Sequence, residues 1–186
     1  MKTRTLFISL AVILCVHLTV AAQSTVAEIN ALAVKTDHFT KINQSPRFFG
    51  DTSNEEKSNW RKFKTKKELD NQDEIYEKAI VWSRTGKVIG TNFTLSSPSG
   101  DWAHFVMYYF REDGSLAKIH AQLNTFYGEA SIIRDQFYDL NGKPIHSTRK
   151  VLDLKTQKPK TPKGDFMDQE VVVYKKVSDL PFSQLL

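Results

Sequence analysis

Ser83-Arg84-Thr85-Gly86-Lys87, Arg111-Glu112-Asp113-Gly114-Ser115 and Asp139-Leu140-Asn141-Gly142-Lys143 punctuate residues 75–154, and their glycines recur at a spacing of 28 residues. On either side of each string lie segments rich in β-branched and aromatic residues, the pattern of tight turns between antiparallel strands. A two-residue type I′ turn demands positive φ at both central positions. Asp113-Gly114 and Asn141-Gly142 tolerate that, and the β-branched Thr85 resists it. A type I turn followed by a glycine bulge asks positive φ of the glycine alone, so this solution is predicted for all three strings.

Around these turns the hydrophobic period is that of strands. Ile75, Glu77, Ala79, Val81 and Ser83 alternate with Tyr76, Lys78, Ile80 and Trp82. Residues 87–95, 102–110, 116–126, 130–138 and 145–154 continue a six-stranded meander, and Glu170-Val171-Val172-Val173-Tyr174 reads as a seventh strand. Counting outward from Arg111 opposite Ser115 sorts the side chains. One face collects Phe105, Met107, Tyr109, Ala117, Ile119, Ala121, Leu123, Ile133 and Phe137 as a core. The other collects His104, Val106, Tyr108, Lys118, His120, Gln122, Arg134, Gln136, Tyr138, His146, Thr148 and Lys150.

Before the meander, Thr25-Val26-Ala27-Glu28 has the form of a capping box, and apolar residues at three- and four-residue intervals predict a helix to Ile42. Arg47-Phe48-Phe49-Gly50 reads as a connector after Pro46. Ser53-Asn54-Glu55-Glu56 repeats the capping form and predicts a second helix to Leu69, with Trp60 and Phe63 on one side of it. The fold class is α+β. One or two N-terminal helices pack on a curved antiparallel meander of six to seven strands, which becomes a half-barrel if it curls far enough.

The leading residues carry a targeting pattern. Lys2 and Arg4 precede an apolar run over residues 6–20, and Val20-Ala21-Ala22 supplies the small residues of a cleavage site. The expectation is a signal peptide over 1–22, cut after Ala22, and a secreted or periplasmic product with no further membrane span. Within it, 23–72 is helical, 73–154 the meander, 155–165 a basic Pro-containing loop and 166–186 a strand and docking tail, all in one domain. Cys15, the only cysteine, falls in the leader. Of the 26 Lys and Arg two lie in the leader, and none of the 21 Asp and Glu do, so the remainder carries +3. Such a mild excess gives no reason to expect nucleic acid as a partner.

No Gly-x-Ser-x-Gly elbow, His-Glu-x-x-His helix or phosphate-binding glycine loop occurs, so no catalytic residue, metal ligand set or cofactor is nominated. The expectation is a non-enzymatic binding module with a small-ligand site on the polar and aromatic sheet face, formed by Trp102, His104, Tyr108, His120, Arg134 and His146. The alternative is a protein or anionic surface met by Trp60, Arg61, Lys62, Lys64, Lys66 and Lys67. A hydrolase using the histidines ranks last.

Overall fold

Thr25 caps the first helix as its spacing predicted. Its hydroxyl accepts from the Glu28 amide at 3.2 Å, and the Glu28 carboxylate accepts from the Thr25 amide at 2.8 Å. A cap of this kind contributes about 1 kcal/mol. The helix, α1, runs Val26–Ile42 and buries Ile29, Ala33 and Thr36. The computed structural model describes residues 25–43, 45–53, 58–161 and 168–186. The expected signal peptide, Asn54, Glu55 and Glu56 of the second capping box, and Pro162 and Lys163 of the basic loop lie outside them.

Beyond α1 two expectations are corrected. Arg47–Asp51 and Trp60–Phe63 are strands, β1 and β2, and the second helix shrinks to α2 at Lys66–Asp70. Trp60 and Phe63, three apart, look like neighbours on a helix. In β2 they point to opposite faces, and both are buried, Trp60 against Phe93 and Phe182, Phe63 against Leu69 and Ile75. Six more strands complete the sheet: β3 Glu77–Arg84, β4 Lys87–Ser96, β5 Trp102–Phe110, β6 Leu116–Thr125, β7 Ala130–Tyr138 and β8 Pro144–Asp153. The order is β2-β1-β3-β4-β5-β6-β7-β8, antiparallel throughout, so the meander read from sequence stands within an open sheet of eight strands. Residues 170–174, expected as a strand, join no ladder.

At Gly114 and Gly142 the turn chemistry is as predicted. Arg111 and Asp139 donate to Ser115 and Lys143, each at 2.9 Å, and the glycines sit at φ +82° and +73°. The first turn differs. Thr85 and Gly86 both adopt positive φ, 49° and 80°, and Arg84 pairs directly with Lys87, giving the two-residue turn that Thr85 disfavours.

Each hairpin then gains one extra residue on its return strand. Trp82 pairs with Gly90 and Ser83 with Val88, leaving Ile89 over. Tyr109 pairs with Lys118 and Phe110 with Leu116, leaving Ala117. Phe137 pairs with His146 and Tyr138 with Pro144, leaving Ile145. Each extra residue stands three places after a turn glycine, so the bulges share the 28-residue spacing. All three lie under α1: Ala117 and Ile145 pack with Ile29 and Val26, and Ile89 lies beside Leu32 and Thr36. A single added residue exchanges the two faces beyond it.

The sheet is consequently covered on both sides. On the helix face, α1 packs over Met107, Tyr109 and Phe137, and α2 closes the end at Phe48. On the opposite face, residues of the C-terminal segment pack on Phe49, Val81, Phe93, Val106, Tyr108 and Ile119, with Leu180 and Phe182 fully buried. At about 25 cal/mol per Å² of apolar surface, each such buried ring contributes roughly 1.5–3 kcal/mol. No described helix is long and apolar enough to cross a membrane.

Candidate functional site

The bulges at Ala117 and Ile145, and the four residues between β6 and β7, decide where the nominated residues go. Trp102, His104, Tyr108 and Arg134 lie on the tail-covered face, and His120 and His146 on the helix face. The expectation that all six share one ligand face is therefore corrected: the count outward from Arg111 lacks both bulges and one residue of the β6–β7 loop, so β6 and β8 fall out of phase with β5 and β7. Among the described residues no group of three His, Cys, Asp or Glu side chains could hold a metal.

Under the tail these side chains serve packing and anchoring. Trp102 packs with Leu123, Ile132 and Val151. Tyr108 is buried among Phe93 and Tyr174, and its hydroxyl donates to the Val172 carbonyl at 2.7 Å. Burial raises its pKa far above the ordinary tyrosine range, so it stays a neutral donor. His104 is 3 % exposed. Its burial, helped by the Arg134 charge, holds it below the ordinary histidine range, against a hydrogen bond with Gln169 and the charge of Asp168. Arg134 reaches Asp168, which also accepts from Arg149 at 3.0 Å.

The helix face is different. Asp135, which alternates in phase with Ile133 and Phe137, is the direct cross-strand partner of His120. Its Oδ1 lies 3.0 Å from His120 Nδ1 and 2.9 Å from Lys118 Nζ. Burial raises the Asp135 carboxyl, but the bonds from Lys118 and His120 outweigh it and hold the group below its ordinary value. An ionised Asp135 accepts from Nδ1–H, which fixes the orientation of the His120 ring and leaves Nε2 as its other polar atom. Lys118 is itself held: it donates to Asn30 of α1 at 3.2 Å and sits 4.9 Å from the centre of the Phe137 ring. Beside them, Tyr109 donates to Asp37 of α1 at 2.9 Å.

One step further from α1 along the strands, Phe105 stands between Thr94 and Gln122 and is 38 % exposed. Gln122 donates to Asn124 and Ser131, each at 3.1 Å, and Ser131 donates to Asn124 at 2.9 Å. This triangle uses the Gln122 nitrogen and the Asn124 oxygen, and leaves the Gln122 oxygen and Asn124 nitrogen outside it. On the β3 side the shelf runs into a cleft of about 260 Å³ between α2 and the sheet, lined by Leu69, Tyr76, Ile80, Thr94 and Ser96 among others. The arrangement is an oriented imidazole, an exposed ring and a preset amide pair, all on strands.

His146 keeps to this face but sits at its margin, against the Phe137 ring at 5.6 Å. The basic cluster also changes. Arg61, Lys62, Lys64, Lys66 and Lys67 are exposed, whereas Trp60 is 9 % exposed and belongs to the core. Asp135, Phe105, Asn124 and Ser131 were missed from sequence. The register that brings them together depends on extra residues such as Ala117, which the local alternation does not mark. Compared with known families, curated proteins and solved structures, the chain matches none.

Proposed function

We propose that the protein is a secreted or periplasmic binding module whose small polar ligand lies on the open part of the helix face, from His120 across Phe105 to Gln122 and Asn124. The observation that carries this reading is the His120–Asp135 pair, which fixes an imidazole on the same face as an exposed aromatic ring. Part-buried polar networks of this kind orient ligands when their own bonds are already met. A ligand bringing a polar group to Nε2 and a flat apolar surface to Phe105 fits best. Differential scanning fluorimetry against sugars, amino acids and nucleosides tests it. A binder at a hundred times its Kd raises stability by about 2.7 kcal/mol, and Phe105→Ala with His120→Ala abolishes the shift. A panel without any shift, or a shift that survives both substitutions, overturns the reading.

Two other readings follow. The exposed side chains of Arg61, Lys62, Lys64, Lys66 and Lys67 retain the charge for an anionic partner, without the aromatic contact that Trp60 would have added. The same His120–Asp135 pair has the form of a general base with its orienting carboxylate, which is what a hydrolase would use.

A further inference from the structure

Arg134 and Arg149 are directly opposed across β7 and β8, a placement that sets two positive charges on one face at the closest cross-strand distance. Like charges so placed repel unless an anion lies between them. Here that anion is Asp168, and both guanidiniums bond the same oxygen, Oδ2. Asp168 takes only Nη2 of Arg134, short of the two-pronged fork in which guanidinium binds oxyanions most tightly. Two atoms record the shortfall. Arg134 Nε is buried with no acceptor among the described residues, and so is the oxygen of the Gln169 side chain with no donor. His104, buried alongside, is neutral and bonded to Gln169.

We propose that Arg134 and Arg149 form a binding site for a small tetrahedral oxyanion of the phosphate type, which Asp168 fills as an internal, displaceable stand-in. Phosphate has an oxygen for Arg134 Nε and Nη2 together, another for Arg149, and in its monoprotonated form a hydroxyl for the Gln169 oxygen. The side chains of Arg134, Arg149 and Asp168 are 24 %, 42 % and 29 % exposed, so an ion reaches them without unfolding. A tethered carboxylate competes at an effective concentration in the millimolar range, so the unmodified protein binds free phosphate weakly. This site lies on the face opposite His120 and stands whether or not the ligand reading of the helix face does.

Isothermal titration of the full chain with inorganic phosphate, and separately with glycerol phosphate, tests it. Asp168→Asn keeps the shape and removes the competing charge. Its affinity for at least one of the two probes rises tenfold or more over the unmodified protein, and adding Arg149→Gln abolishes the gain. A preference for glycerol phosphate identifies a phosphomonoester as the natural class, and a preference for inorganic phosphate identifies the free ion. Equal affinity of Asp168→Asn and the unmodified protein for both probes, or a gain untouched by Arg149→Gln, reduces Asp168 to a clamp and overturns the proposal. If Asp168→Asn does not fold, the unmodified protein carries the test through its Arg134 Nε–H resonance. That signal moves saturably with phosphate and stops moving in Arg149→Gln; a signal that never moves is the opposing result.

Discussion

His104 turns burial into a dependence of stability on pH. Its folded pKa is depressed below the unfolded value of about 6.5. Between the two values the unfolded chain takes up a proton that the folded chain refuses. The contribution is therefore complete above about pH 6.5 and is lost as pH falls toward the folded pKa. Melting temperature is expected to fall from pH 7.5 to pH 5, and to fall less in His104→Gln, which keeps a polar partner for Gln169 without the titration. A variant with the full slope of the unmodified protein would assign the effect to other groups. Thr85 makes a related point about what single residues disclose. Its β-branching does disfavour φ near 49°, yet the hairpin adopts it, because the bulge at Ile89 and the packing under α1 fix where the strands must meet. Local preference was legible there, and the outcome was not.

At the scale of elements, α1 and the meander were readable because each rests on local chemistry: a capping box, a 3.6-residue period, glycines at turns. The pairing of β5 with β6 was not, since one unpaired alanine leaves no mark in the alternation around it. Trp60 and Phe63 were misread for a related reason. An edge strand buried on both faces imitates the i, i+3 spacing of a helix. α1 sits close on the sheet at Gly90, where an added Cβ would lie 2.7 Å from Met107 Cε and 3.1 Å from Thr36 Cγ2. The methionine end can move aside, while Thr36 is fixed by the helix. Gly90→Val is expected to destabilise by about 1–3 kcal/mol through overpacking and to speed hydrogen exchange in α1 ahead of β5. Unchanged exchange in α1 would mean that the helix is not seated through this contact.

For the whole molecule, the C-terminal segment makes the difference between a one-sided sheet and a two-sided one. Its β-branched run was read as a strand because such residues suit any half-buried pleated surface. Instead it crosses a sheet face, with Val171 and Tyr174 packed inward and Val172 62 % exposed. Sequence pattern cannot distinguish lying on a sheet from joining it, and that ambiguity hid both the second core and the burial of His104. Phe182 measures how much the covering matters. It is 1 % exposed, stacks on Phe49 at 4.5 Å between ring centres, and meets Trp60 at 4.8 Å. Phe182→Ala is expected to cost about 3–5 kcal/mol, a large part of the roughly 5–15 kcal/mol typical of a whole domain. Val172→Ala, on the same segment but exposed, should change stability by no more than about 0.5 kcal/mol. Urea unfolding compares them directly: the midpoint drops for Phe182→Ala at an unchanged slope if the segment unfolds together with the sheet. A loss below about 1 kcal/mol would make the segment a loosely laid strap that leaves the tail face accessible to solvent.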